Sequence, residues 1–138
     1  MPPPIRVLIA EDHEVVRKGL RLLLDYERDI EVVAEAVDGS EAVQLALEHK
    51  PSAIVMDICM PGLNGIEATR QILAALPQTK VLIISNVGDE STIDDALACG
   101  ALGYISKQSS LLDVPAALRE LHKGNAFIST APARLRQT

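Results

Sequence analysis

The sequence is poor in aromatic residues, with one Phe, two Tyr and no Trp among 138 residues. Because 48% of the residues are nevertheless hydrophobic, the core must be built mainly from Ile, Leu, Val and Ala. Such a core is typical of a parallel β-sheet covered by helices. The length favours a single domain that can bury a sizeable core.

Cysteine is also scarce, since Cys59 and Cys99 are the two in the chain. Two widely separated cysteines exclude a disulfide framework and a zinc motif, so we expect both to be reduced. No apolar run reaches about 18 residues, which excludes a membrane-spanning helix. The first residues, MPPP, lack the pattern of a signal peptide. We therefore expect a cytoplasmic protein without a membrane partner.

Basic residues are outnumbered, with 13 Lys and Arg against 19 Asp and Glu and a net charge of -6. Nucleic-acid phosphates are bound by clustered Lys and Arg, so this composition argues against direct nucleic-acid binding by the segment. An acidic excess is compatible with a metal site.

The segment 53–62, AIVMDICMPG, is the most informative stretch, because an apolar run leads directly into one carboxylate and a Pro-Gly turn. A short apolar run bounded by turn residues is typical of a strand buried on both faces. Asp57 would then stand at the carboxyl end of that strand, where open α/β sheets bind ligands. The alternative is that Asp57 merely begins a turn.

Five such strands alternate with five helical patterns, which predicts a doubly wound parallel sheet with helices on both faces. The predicted strands are 5–10, 30–36, 53–57, 81–84 and 103–106. The predicted helices are 15–25, 38–50, 64–76, 89–99 and 112–123, and the fourth is the least apolar.

Capping residues and a proline refine three of these helices. Asp38 and Asn64 are each followed three residues later by Glu, which predicts two helix starts. Pro115 cannot occupy a helix interior without a cost of about 3 kcal/mol. We therefore expect the last regular helix to run from about Val114 to Lys123, with residues 110–113 as an irregular lead-in.

Polar side chains follow four of the strands: Glu11 and Asp12, Asp57, Ser85, and Lys107. In a parallel sheet all of them lie at one edge. Three carboxylates at close quarters repel each other unless a cation neutralises them, and oxygen ligands without Cys or His side chains favour Mg²⁺. Such a site is suited to holding a phosphoryl group. His13, beside the acidic pair, is more simply interpreted as a helix-start residue than as a ligand.

With these residues in this order, the chain from Ile5 to about Phe127 is similar to the response-regulator receiver domains of bacterial two-component systems. Segments 55–62, 65–70 and 100–104 (VMDICMPG, GIEATR and GALGY) most resemble the LuxR-type subfamily. The resemblance implies a flavodoxin-like strand order 2-1-3-4-5. It also implies a transcription regulator that acts through a C-terminal helix-turn-helix domain.

The resemblance further implies a role for each site residue. Asp57 would be the phosphoacceptor, and Mg²⁺ would be bound by Asp12, by Asp57, by the backbone carbonyl of Cys59 and, through water, by Glu11. The remaining residues would contact the phosphoryl group or change conformation in response to it. These are Lys107, which would pair with its oxygens, Ser85, which would donate a hydrogen bond to it, and Tyr104, the aromatic switch.

We expect residues 1–4 to be an extension, residues 5–127 the receiver domain, and residues 128–138 a linker toward an output domain that is absent here. The expected partners are a sensor histidine kinase, a second copy after phosphorylation, and DNA only through the output domain. The protein would not be an enzyme, beyond assisting its own phosphorylation and dephosphorylation.

Two alternatives belong to other functional classes. A small-molecule phosphatase with an Asp nucleophile, similar to haloacid dehalogenases, would need a second Asp at position 59, which is Cys. A stand-alone or pseudo-receiver would be a protein-binding module that never accepts phosphate, but Asp12, Asp57 and Lys107 are all retained.

Overall fold

The structure is a computed structural model that describes residues 3–86, 90–107 and 111–129. The strands of the described residues are β1 Ile5–Ala10, β2 Ile30–Ala36, β3 Ala53–Asp57, β4 Lys80–Ser85, β5 Gly103–Ser106 and β6 Phe127–Ser129. They form one parallel sheet in the order β2-β1-β3-β4-β5-β6. The predicted fold class and the order of the first five strands are therefore confirmed.

The helices are α1 Glu14–Asp25, α2 Gly39–His49, α3 Gly65–Ala75, α4 Glu90–Ala98 and α5 Val114–His122, with a 3₁₀ turn at Leu111–Asp113. Among the described helices, none is long and apolar enough to cross a membrane. Four parts of the predictions, residues 1 and 2, Asp89, Ser110 and residues 130–138, lie outside the described residues.

The sheet separates two apolar cores. Helices α1 and α5 pack on one face, against Val55 and its neighbours, whereas α2, α3 and α4 pack on the other face, against Ile54 and Met56. Every residue of β3 is buried, so the prediction of a strand covered on both faces is confirmed. Val15, at the predicted start of the first helix, is 73% exposed and does not join either core.

The predicted helix starts are confirmed by their hydrogen bonds. The Asp38 side chain accepts from the backbone N–H of Glu41 at 2.7 Å, and Asn64 Oδ1 accepts from the N–H of Glu67 at 2.9 Å. His13 caps α1, where its Nδ1 accepts from the N–H of Val16 at 3.4 Å. Each cap satisfies an N–H group that has no partner inside its helix.

The last helix begins as Pro115 requires. The 3₁₀ turn ends at Asp113, α5 starts at Val114, and Pro115 therefore lies in the first turn, where its missing N–H costs little. The helix ends at His122, one residue earlier than predicted, and Gly124 follows with a φ of 92°.

The strand β6 was not predicted. It pairs in parallel with β5, and Phe127 lies opposite Gly103. Three residues at a sheet edge are too few to show a period, and Ile128 is 49% exposed, so the sequence carries no apolar pattern there. The sheet therefore continues to Ser129, across the boundary predicted at residue 127.

Candidate functional site

Four strands deliver polar side chains to the carboxyl edge of the sheet, as the sequence predicts. Glu11 and Asp12 follow β1, Asp57 ends β3, Ser85 ends β4, and Lys107 follows β5. Glu11, Asp12 and Asp57 each offer a carboxylate oxygen, and the three oxygens lie within 4.8 Å of one another. The Lys107 backbone N–H donates to the Ser85 carbonyl at 2.8 Å, which extends the β4–β5 pairing to the site.

Lys107 is the cation of the cluster. Its Nζ lies 2.8 Å from Glu11 Oε1 and 3.4 Å from Asp57 Oδ1. Burial opposes the charge of the ammonium group, but hydrogen bonding to Glu11 and the charge of Asp57 outweigh it, so the pKa of Lys107 is raised. Lys107 therefore stays charged over the physiological pH range.

The surroundings of Asp57 disfavour the ionised form of its carboxyl group. It is 3% exposed, and Glu11 beside it is fully buried. Burial and, second, the charge of Glu11 raise the pKa of Asp57 from 3.8 to about 7, although Lys107 opposes both effects. One ammonium group therefore does not fully offset the negative charge gathered at this edge.

The donor set suits a divalent cation. Glu11 Oε1 is buried, and the ammonium group of Lys107 lies 2.8 Å from it. Three clustered carboxylates are hard oxygen ligands, which Mg²⁺ prefers, and Asp12 is exposed at the mouth of the site. A bound cation would also relieve the repulsion that raises the pKa of Asp57.

The other predicted residues lie around the same cluster. Cys59 is exposed and lines the cleft with Asp57 and Lys107, whereas Ser85 is fully buried at the end of β4. Tyr104 is also fully buried, in the core beneath α4. A switch in which phosphorylation turns the Tyr104 ring inward would therefore start from a ring that is already buried.

Two glycines that the sequence did not single out shape the loop after Asp57. A Cβ atom on Gly65 would lie 2.1 Å from the carbonyl oxygen of Asp57, and one on Gly39 would lie 1.9 Å from the carbonyl oxygen of Leu63. The Gly65 N–H donates to the carbonyl of Ile58 at 2.9 Å. The loop that carries the Cys59 carbonyl is therefore packed against the starts of α2 and α3. The repeated glycine after each capping residue is the signal that could have indicated this.

A match to the family model for the response regulator receiver domain covers residues 7–119. The chain belongs to the response-regulator receiver family. The predicted resemblance is therefore confirmed.

The receiver domain is 43% identical over 129 residues to the transcriptional regulatory protein LiaR of Bacillus subtilis, with 94% of this chain and 61% of LiaR covered. The chain thus spans about three fifths of the length of the curated relatives it matches.

Two solved structures show the same fold. The signal receiver domain of NarL from Mycobacterium tuberculosis matches with a TM-score of 0.85 at 32% identity, covering 90% of this chain and 100% of that one. A LuxR-family two-component response regulator from Aurantimonas matches with a TM-score of 0.87 at 32% identity, covering 96% and 94%. The LuxR-type resemblance predicted from the sequence agrees with these relatives.

Proposed function

We propose that this receiver domain accepts a phosphoryl group on Asp57 from a sensor histidine kinase, and that it thereby controls a DNA-binding output domain in a longer regulator. The observation that carries the proposal is the cluster of three carboxylates and one Lys at the end of β3. The similarity to LiaR, a transcriptional regulatory protein of greater length, supports the output function.

In the proposed transfer, a carboxylate oxygen of Asp57 attacks the phosphorus of a phosphohistidine. The P–O bond forms as the P–N bond breaks, and the electron pair of that bond remains on the imidazole nitrogen of the kinase. Lys107 pairs with the phosphoryl oxygens, and Ser85 donates a hydrogen bond to one of them. Asp12, Asp57 and the Cys59 carbonyl, with Glu11 through water, would hold Mg²⁺, which would supply positive charge to neutralise the transferring group.

The same groups serve the hydrolysis of the aspartyl phosphate, in which water attacks the phosphorus, the aspartyl carboxylate leaves and inorganic phosphate is released. The domain in this way assists its own phosphorylation and dephosphorylation without acting on a separate substrate. Cys59 occupies the position where a phosphatase of the haloacid dehalogenase type needs an acid. Its exposed thiol is a poor substitute because a carboxylic acid is the stronger proton donor.

Phosphorylation is proposed to shift the conformation of the face made by α4, β5 and α5. A phosphoryl group adds about -1.5 to -2 charge and three acceptor oxygens at Asp57. Ser85 ends β4, which pairs with β3 on one side and with β5 on the other. Tyr104 lies on β5 beneath α4, so a change at Ser85 would reach Tyr104 and α4 through β5. Two states must pre-exist, because the phosphoryl group can only bias their equilibrium. The favoured state forms a homodimer and releases or aligns the output domain.

Ser85→Ala is expected to separate phosphorylation from this response. The variant should accept a phosphoryl group, because Asp57 and the cation ligands are intact, but it loses one hydrogen bond that stabilises the switched state, worth about 1 kcal/mol. Chemical shifts of Tyr104 and α4 amides should change less than in the phosphorylated parent. Equal shifts in the two proteins would contradict the switch.

Treatment with a small phosphodonor, with Mg²⁺ and with a chelator in its place, tests the proposal. Intact mass should show a phosphoryl adduct with Mg²⁺ and almost none with the chelator. Asp12→Asn should need a much higher Mg²⁺ concentration for the same yield, because it removes a ligand but not the nucleophile. A pseudo-receiver would form no adduct under either condition.

A further inference from the structure

The turn between β1 and α1 carries two of the three carboxylates of the site. Several hydrogen bonds shape it. The Glu11 N–H donates to the Ala36 carbonyl at 3.0 Å, the His13 N–H donates to Glu11 Oε2 at 3.0 Å, and His13 Nδ1 caps α1. Glu11 is fully buried, whereas Asp12 is exposed, so packing alone does not orient the Asp12 side chain.

Arg17 contacts this turn from the first turns of α1. Its Nη1 donates to the backbone carbonyl of Glu11 at 3.0 Å, and its Nε lies 3.4 Å from Glu35 Oε1 on β2. The side chain is 16% exposed. The guanidinium group therefore connects the acidic turn to the edge strand of the sheet.

The carbonyl that Arg17 binds belongs to the peptide group that joins Glu11 to Asp12. Rotation of this peptide would turn the Asp12 carboxylate relative to Asp57. A hydrogen bond from a charged donor is stronger than one from a neutral donor, so it resists this rotation. Outer contacts of this kind orient the groups that bind a metal directly.

We propose that Arg17 is a positioning residue of the cation site, holding the peptide of Glu11 and Asp12 so that the Asp12 and Asp57 carboxylates converge on one ion. This inference rests on the proposed function, because it assumes that the cluster binds Mg²⁺. Arg17 does not touch the ion or the phosphoryl group, and it acts through the backbone.

The charge of Arg17 and its positioning hydrogen bond have opposite effects on Mg²⁺ affinity. A nearby cation repels Mg²⁺, so removal of its charge alone would strengthen Mg²⁺ binding. Loss of the positioning hydrogen bond would weaken it. The direction of the change therefore distinguishes the two effects.

Arg21 offers a matched control on the same helix. Its Nη1 lies 2.8 Å from Glu35 Oε2, and its Nε pairs with Asp25, so it shares the Glu35 partner of Arg17. Among its contacts in the described residues, none is to the β1–α1 turn. Arg21→Gln therefore removes the same charge and disturbs the same ion-pair network without releasing the turn.

The experiment measures the Mg²⁺ dissociation constant of the parent, Arg17→Gln, Arg17→Lys and Arg21→Gln by titration of backbone amide shifts. Urea unfolding of each metal-free protein accompanies it. Arg17→Gln should bind Mg²⁺ roughly tenfold more weakly than the parent, as outer-contact losses typically do. Arg17→Lys keeps the charge and one donor, so it should recover part of this loss. Arg21→Gln should stay within about twofold of the parent.

Amide exchange gives a second measurement. If Arg17 only stabilised the whole domain, its loss would not speed exchange selectively in the β1–α1 turn. In folded, metal-free Arg17→Gln, exchange should be faster at the amides of Glu11 and His13 than in Arg21→Gln. Equal Mg²⁺ affinities for Arg17→Gln and Arg21→Gln, or tighter binding by Arg17→Gln, would overturn the inference. If Arg17→Gln does not fold, an unchanged affinity in Arg17→Lys would overturn it. Absence of Mg²⁺ binding in the parent would instead overturn the proposed function.

Discussion

Without divalent cations, Asp57→Asn is expected to be more stable than the parent, by up to about 4 kcal/mol at pH 8. The ionised Asp57 carboxylate is buried beside Glu11, and its pKa rises from 3.8 to about 7 in the folded domain. Each tenfold shift in the ionisation equilibrium corresponds to about 1.4 kcal/mol. Asparagine keeps the size of the side chain and removes the charge.

The sign of the pH dependence follows from linkage. A raised pKa means that the folded protein binds the proton more tightly than the unfolded chain, so ionisation of Asp57 destabilises the fold. This cost is absent below pH 3.8, grows between pH 3.8 and about 7, and is complete above that. The advantage of Asp57→Asn should therefore shrink steadily as the pH falls from 7 toward 4.

Urea unfolding of both proteins across this pH range, with a chelator present, measures the difference. Mg²⁺ should stabilise the parent at pH 8, because a bound ligand stabilises the folded state. The difference in the free energy of unfolding between the parent and Asp57→Asn should therefore become smaller. A parent that is as stable as Asp57→Asn at pH 8 without Mg²⁺ would contradict the described electrostatics of the cluster.

Gly65→Ala is expected to destabilise the domain by about 3 kcal/mol and to weaken Mg²⁺ binding at the same time. The new Cβ would meet the Asp57 carbonyl oxygen at 2.1 Å and its carbonyl carbon at 2.9 Å. Backbone atoms cannot turn aside as a flexible side chain can. Relief of the contact must therefore move either α3 or the peptide that follows Asp57.

Gly19→Ala is the control for this substitution. Gly19 lies within α1, and a Cβ atom there would have no heavy atom within 4 Å. Alanine in a helix interior is favoured over glycine by roughly 0.5–1 kcal/mol, so this variant should be slightly more stable than the parent. Urea unfolding and Mg²⁺ titration of both variants check the prediction. Unchanged stability and Mg²⁺ affinity in Gly65→Ala would contradict the prediction, because the loop after Asp57 would then move without a cost in free energy.

The sequence predicted the site residues that end or follow strands, because the topology of a parallel sheet brings all carboxyl ends to one edge. Asp57 and Lys107 are far apart in the chain, yet strand order places both at this edge, where Lys107 Nζ lies 3.4 Å from Asp57 Oδ1. The capped helix starts and the late start of α5 could be predicted because their causes are local. Asp38, Asn64 and Pro115 each affect backbone groups only a few residues away.

The features that escaped prediction depend on contacts between distant segments. The requirement for Gly65 arises from the approach of α3 to the Asp57 backbone, and the contact of Arg17 with Glu11 depends on the rotation of α1 over the sheet. The strand β6 is defined by hydrogen bonding to β5 rather than by its own pattern. Composition and periodicity do not encode such distances.

Intact mass after treatment with a small phosphodonor and Mg²⁺ tests most directly whether Asp57 carries the phosphoryl group. The parent should gain one phosphoryl group and Asp57→Asn none, although Asp57→Asn is expected to be the more stable protein when divalent cations are absent. Asp38→Asn, in which asparagine can still cap α2, should gain the adduct as the parent does. A phosphoryl adduct that persists on Asp57→Asn would contradict the assignment of Asp57 as the phosphoacceptor.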